Sequence, residues 1–254
     1  MTDFEHWCDS PVMHNVDKHA YGNVVSNNDA AGISAVSATL GQKYAEVDML
    51  VHIAEQFGKH GVSAYLANKF PTKASARSGD LGEIMATAYL HEHCGYATGP
   101  SRLIDRDHQQ WAMRGDDVLG VKIDTKTGVQ VAKVEAKSGK KIPKKVVTEA
   151  RKGLGRCNGL PSPHSLSQFA ERLRRASHDD LADAVLRVQL TDDIRPDIVT
   201  HMMFLFTMDD PTEFVKDDLA NYAGSIEQLT MTLRVAAHPE FISEVYEKAL
   251  AHDA

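Results

Sequence analysis

Cysteine is scarce and poorly placed for cross-linking. The 254 residues include three, Cys8, Cys94 and Cys157, an odd number spread far apart. This excludes a disulfide framework and fits a reducing compartment. Long apolar runs are missing too: nothing approaches the roughly 20 apolar residues of a membrane span, so no membrane association is expected. The opening MTDFEHWCDSPVMHNVDKH lacks a basic segment followed by an apolar stretch, and no secretory leader is expected. No linker or internal repeat stands out. What remains is ordinary for a folded protein. The composition is 43% hydrophobic and 25% charged, which excludes a disordered chain, and the length suffices to bury a core in one large or two small domains.

Positive charge is also in deficit, with a net charge of −7. The average hides a dipole. Residues 126–175 carry 13 Lys and Arg against 3 acids, a net +10 that leaves −17 on the rest. A basic block within an acidic chain is the pattern of a localised polyanion-binding surface, although a solvated helix face would look the same.

Periodicity then places the elements. Residues 1–30 are polar without a clear period and read as extended or loop-rich. Val47, Leu50, Val51, Ala54 and Phe57 recur at helical spacing up to Gly58 and Gly61, and a second short helix follows over Val62–Asn68. Ser78 and Asp80 offer capping oxygens for a helix over Leu81–His93 that is apolar nearly all round, Glu83 being the one charge between Leu81 and Leu90. Val118–Ile123 and Val129–Ala136 are β-rich runs joined by Asp124-Thr125-Lys126-Thr127-Gly128, a hairpin connection. Pro143–Gly153 reads as a basic helix, Gly153–Pro163 as a loop, and Leu166–Leu190 as one or two amphipathic helices. Ile198–Thr207 is a continuous apolar run of central-strand type. Residues 212–252 read as helices broken near Gly224 and Pro239. The sum is an α/β fold.

The hairpin carries the chemistry. A turn centred on Lys126 pairs Ile123 with Val129, Val121 with Val131, Leu119 with Lys133 and Asp117 with Glu135. Two carboxylates then meet across neighbouring strands, with Lys137 on the same face two residues beyond Glu135. Leu119, Val121, Ile123, Val129 and Val131 form an apolar floor beneath them. Facing carboxylates beside a lysine suit metal-assisted phosphodiester hydrolysis: the acids hold a hard divalent cation and the ammonium supports the attacking water. Glu83 is a candidate third carboxylate. Each residue also has a plain structural use. Glu135 with Lys137 is a same-face ion pair worth up to about 1 kcal/mol if exposed, Glu83 suits the positive end of its helix, and Asp116 and Asp117 suit a turn. The combination points to a site. By contrast, the spacing of His6, Cys8, His14 and His19 matches no zinc pattern.

At these residues the sequence resembles the PD-(D/E)XK nuclease superfamily, which has an acid at the start of one strand and Glu-X-Lys on its antiparallel neighbour. The match is Asp117 followed by Glu135-Ala136-Lys137, with Glu83 at the position of the preceding helix's acid. Gly115-Asp116 precedes Asp117 in place of the family's proline, so Asp116 and Asp117 both remain candidates for the ligand. The run from Tyr44 through Arg77-Ser78-Gly79-Asp80-Leu81-Gly82-Glu83 to Glu-Ala-Lys further resembles HamA, the nuclease subunits of the bacterial Hachiman antiphage system. That likeness spans about residues 40–210.

The resemblance implies a PD-(D/E)XK restriction-endonuclease-like core with a mixed sheet flanked by helices. It would comprise an N-terminal extension (1–40), a nuclease domain (41–210) and a C-terminal helical segment (211–254). It implies a Mg²⁺- or Mn²⁺-dependent DNA endonuclease or nickase in the bacterial cytoplasm, partnered by a HamB-like superfamily 2 helicase. Asp117, Glu135, the Ala136 carbonyl and Glu83 would hold the metal, and Lys137 would orient or activate water. Lys140, Lys141, Lys144, Lys145 and Arg151 would contact DNA phosphates, with little sequence preference. The alternative is a catalytically latent or inactive nuclease-fold module that binds DNA and docks on a helicase.

Overall fold

A computed structural model of the chain describes residues 2–110, 114–124 and 128–252. Six strands among the described residues form one sheet: β1 (Val12–Val16), β2 (His19–Val25), β3 (Val118–Asp124), β4 (Gly128–Ser138), β5 (Val199–Thr207) and β6 (Glu227–Arg234). Their order is β1-β2-β6-β5-β4-β3. The pairs β1–β2 and β3–β4 are antiparallel, and the three between them are parallel. Eight α-helices accompany the described strands: α1 (Asp29–Leu40), α2 (Val47–Lys69), α3 (Ala74–Glu92), α4 (Lys144–Leu154), α5 (Pro163–Arg175), α6 (Asp179–Arg187), α7 (Thr212–Ala220) and α8 (His238–His252).

The period-two alternation of the strands divides the helices between two faces. Val134, Phe204, Phe206, Met231 and Leu233 pack beneath α1, α3 and α8. Met203, Leu205 and Tyr21 meet α4 and α7 on the opposite side, while Leu119 and Val121 pack against α5 and α6. The apolar run of β5 is buried nearly throughout because both faces are covered. No helix among the described residues is long and apolar enough to cross a membrane.

Several expectations need correction. Of the two readings of residues 1–30, extended holds and loop-rich does not: Val12–Val16 and His19–Val25 form β1 and β2, and Phe4 and Trp7 are buried in the main core. Residues 212–252 are not all helical, because β6 lies between α7 and α8. Its sequence, EQLTMTLR, alternates, but Gln228, Thr230 and Thr232 are buried along with Leu229's apolar neighbours Met231 and Leu233, so a polar-looking run fills an interior strand. The sheet therefore draws strands from 1–40, 41–210 and 211–254. Helix α3 begins at Ala74, seven residues before the expected start, and runs through Ser78 and Asp80. Asp80 does not cap it. Its buried carboxylate pairs with Arg106 and accepts a 2.6 Å bond from the Tyr44 hydroxyl, while the Ser78 and Ser138 hydroxyls lie 2.8 Å apart. The break expected near Gly58 is present, as a positive φ of 67° inside α2. Ile123 of the expected apolar floor is exposed.

Candidate active site

The register of the hairpin is the expected one, from Val118 opposite Val134 to Asp124 opposite Gly128. One step beyond Val118, Asp117 stands beside β4, and its Oδ2 accepts a 3.1 Å hydrogen bond from the Ala136 amide. The turn expected to centre on Lys126 falls in residues 125–127, outside the described residues.

Glu135 lies on the β4 face covered by α4, and only 8% of it is exposed. Lys137 donates to its Oε1 at 2.7 Å. Burial and the nearby Asp117 push the Glu135 carboxyl up, against the pull of Lys137. Gly153 of α4 sits directly on this carboxyl, and a Cβ there would overlap its atoms. Glycine at this helix position leaves the space the carboxylate occupies between helix and sheet, and a larger residue would displace that carboxylate.

Glu83 comes from α3 and meets Arg102. The guanidinium donates from Nε to Oε2 at 2.8 Å and from Nη2 to Oε1 at 2.7 Å. The same Nη2 reaches Asp117 Oδ1 at 3.3 Å, and Nη1 donates to the Asp116 carbonyl at 2.9 Å. One arginine therefore ties α3 to the start of β3. Burial pushes the Glu83 carboxyl up to about 7 despite Arg102.

Asp116 and Asp117 part company. Asp116 Oδ2 accepts from the Ser162 amide at 2.8 Å and its Oδ1 lies 3.5 Å from Lys133 Nζ, while its own amide donates to Ser165 Oγ at 2.9 Å. Lys133, only 1% exposed, also donates to the Arg156 and Leu160 carbonyls at 2.8 and 2.9 Å. This lysine belongs to the interior, not to a surface patch. Gly115, at φ 103°, makes the bend that sends the two aspartates in different directions, and Ser165 leaves no room for a Cβ there. Asp116 braces the 156–165 loop; Asp117 faces Glu135 and Glu83.

The five basic residues expected to contact phosphate separate as well. Lys140, Lys141, Lys144 and Lys145 are exposed. Lys144 and Lys145 make only exposed ion pairs, with Asp217 at 3.2 Å and Glu149 at 3.9 Å, which hold them weakly. Arg151 is turned inward. It donates to Asp218 Oδ2 from Nε and Nη2 at 3.0 and 2.6 Å, bonds Gln228, and lies 4.9 Å over the Tyr222 ring. Its guanidinium is committed to α7 and β6, contrary to the sequence-based expectation.

Sequence reasoning missed Arg102, Lys133 and Gly153. Arg102 has no sequence signal because its partners, Glu83 and Asp117, lie 19 and 15 residues away on separate elements. From the sequence Gly153 reads as the junction of the basic helix and the loop after it, and only the packing of that helix on Glu135 reveals its role.

The donors offered to a cation are hard oxygens: two carboxylates, Asp117 and Glu135, and the carbonyl of Ala136, the residue after Glu135. Such donors fit Mg²⁺ in kind, because that ion uses one or two carboxylates and fills its remaining positions with water and phosphate oxygens. Among the described residues, no group of three or more His, Cys, Asp or Glu is placed to hold a metal, and Glu83 gives both its oxygens to Arg102.

Comparison with known proteins bears on the same residues. The chain is 27% identical over 194 residues to the Hachiman protein HamA of Bacillus cereus, covering 74% of this chain and 69% of that one. The HamA family model matches residues 4–249, which takes in the strands at both ends of the sheet as well as the acid-bearing hairpin. The chain belongs to the HamA family.

Proposed function

We propose that this protein is a divalent-metal-dependent DNA endonuclease or nickase with a PD-(D/E)XK core. It acts in Hachiman antiphage defence in the bacterial cytoplasm, beside a HamB-like helicase. The observation that carries the reading is the hairpin end, where Asp117 accepts from the Ala136 amide, within electrostatic reach of Glu135, and Lys137 is bonded to Glu135 at 2.7 Å.

Asp117, Glu135 and the Ala136 carbonyl hold Mg²⁺ or Mn²⁺ in this reading. Bound there, the ion supplies Lewis acidity at the scissile phosphate and a more acidic water. Lys137 holds its ammonium beside the same carboxylate, where it orients the attacking water and offsets negative charge that develops on the phosphate. Lys140 and Lys141, in the exposed segment leading out of β4, meet backbone phosphates, with Lys144 and Lys145 extending the track. Phosphate contacts carry no sequence information, so the chain has little intrinsic sequence preference.

One observation favours the latent alternative for the form described. Arg102 bridges Glu83 and Asp117 and already supplies positive charge to the acid centre. A partner that shifts the Ser101–Arg102 segment would change the charge balance of the site without touching the hairpin. The test is cleavage of supercoiled and linear DNA with Mg²⁺ or Mn²⁺ by the wild type, Glu135→Ala and Lys137→Ala. Loss of cleavage of about 10²-fold or more in both variants is expected, and equal nicking by all three proteins overturns the assignment.

A further inference from the structure

Beside the acid centre, α3, the 98–103 segment and α5 enclose a cavity of about 140 Å³. A single water needs roughly 10–15 Å³ of such space, so there is room for a tetrahedral oxyanion and its hydration. Lys43, Arg102, Arg114 and Arg172 line it, together with the acids Glu83, Glu92, Asp116 and Asp117, each of which already accepts hydrogen bonds from another group.

Arg172 is the anomaly. It is 8% exposed, its Nε has no hydrogen-bond partner, and among the described residues it makes no ion pair, the neighbouring Asp105 and Glu46 pairing with Arg175 instead. The acids that could neutralise it are engaged elsewhere. Asp105 is held by Arg175 through bonds of 2.9 and 2.7 Å, and Glu171 lies on the exposed side of α5. Its aromatic contact is a distant one, 6.0 Å to the Phe169 ring. Burial brings the guanidinium down to about 10; Asp105 opposes this, and repulsion from Arg102 and Arg175 adds to it. Lys43 is also lowered by burial, with Glu92 opposing, but Glu92 already accepts from Thr2 and Phe4. A buried cation without a counter-ion costs stability. Here it stands at the wall of a cavity, within electrostatic reach of a second guanidinium.

We propose that this cavity is a phosphate-binding site, in which Arg172, supported by Lys43, takes the phosphate group of a nucleotide. A free nucleoside monophosphate and the phosphorylated end of a DNA strand present the same chemistry. Only the second source rests on the nuclease reading. Guanidinium donors suit such an anion because they deliver charge and directed N–H groups together.

The test is calorimetric titration in EDTA of inorganic phosphate, deoxyadenosine 5′-monophosphate, and a DNA oligonucleotide with a 5′-phosphate or a 5′-hydroxyl. Wild type, Arg172→Met and Arg172→Lys are compared, with melting temperatures recorded with and without phosphate. Phosphate binds the wild type and raises its melting temperature by mass action. Arg172→Met binds about tenfold or more weakly and melts no lower than the wild type without ligand, since it removes an uncompensated buried charge. Arg172→Lys keeps the response in weakened form and serves if the Met variant does not fold. Stronger binding of the 5′-phosphorylated than the 5′-hydroxyl strand identifies DNA as the source, and equal binding of the two with retained monophosphate binding identifies the free nucleotide. Absence of phosphate binding by the folded wild type, or unchanged binding by Arg172→Met, overturns the proposal. Because no metal is present, neither result depends on cleavage, and loss of cleavage in Glu135→Ala leaves this site untouched.

Discussion

The end of the β3–β4 hairpin and the junction of α4 with α7 use the same kinds of charge to opposite ends. At the hairpin, Glu83, Asp117 and Glu135 share two cations, Arg102 and Lys137, and burial pushes the carboxyls of Glu83 and Glu135 up. At the junction, Arg151 meets Asp218 directly, and Gln228 carries the network on to His201. The first region holds crowded acids with their affinity for a cation incompletely met; the second is locked. Basic residues of one stretch of sequence, Lys137 and Arg151, thus do unlike work because β4 points one along the sheet face and α4 turns the other into the interior.

The largest effect expected in the locked region comes from acid. His201 Nε2 donates to the Gly159 carbonyl at 2.6 Å, so Nδ1 is the acceptor facing Gln228 Nε2 at 3.1 Å. A proton on Nδ1 would set donor against donor. Burial, with help from Lys133 and Arg151, brings His201 down to about 4 from 6.5. A lowered histidine contributes stability that is fully present above 6.5 and lost as pH falls toward 4. The loss is roughly 3 kcal/mol across that window. Urea midpoints recorded from pH 7 to pH 4 should fall accordingly, and His201→Gln should flatten that segment of the curve.

Next comes a variant aimed at the acid centre. Gly153→Ala pushes a methyl group into the Glu135 carboxyl, and such a displacement of a reacting group should lower cleavage by about a hundredfold. Normal DNA binding by the same protein would separate misplacement of Glu135 from general damage. Arg151→Met reverses the pattern. It strands Asp218, which is itself mostly buried, and should cost about 2 kcal/mol in chemical denaturation while the folded protein cleaves at the wild-type rate. The smallest effect belongs to the exposed lysines: Lys140→Ala and Lys141→Ala should each reduce the salt dependence of DNA binding by about one unit of slope, without a change in melting temperature.

How much of this was visible in the sequence follows the range of the interactions. The hairpin register was legible because Leu119, Val121, Val129 and Val131 alternate at period two on either side of a short turn, which fixes Asp117 against Glu135 before any tertiary contact is known. The Gly58 break and the central strand β5 were legible for similarly local reasons. β6 was not, because Gln228, Thr230 and Thr232 are polar residues buried by neighbours contributed from distant parts of the chain. The early start of α3 was hidden because Asp80 looks like a cap until Arg106 and Tyr44 are seen to claim it. Charge misled most. Counting placed Lys133 and Arg151 in a basic surface, whereas the fold buries the first among carbonyls and pairs the second with Asp218. Nothing local distinguishes Asp116 from Asp117; the bend at Gly115 and the positions of Lys133 and Arg102 do.

That pair of neighbours gives the most direct test. Asp116→Asn and Asp117→Asn differ by one position and are chemically identical changes. The measurement is DNA cleavage with Mn²⁺, together with a thermal melt of each protein. Asp117→Asn is expected to melt near the wild type and lose cleavage, whereas Asp116→Asn, which weakens the contact with buried Lys133, is expected to melt lower yet cleave while folded. Cleavage retained by Asp117→Asn and abolished in folded Asp116→Asn would contradict the assignment of the acid centre.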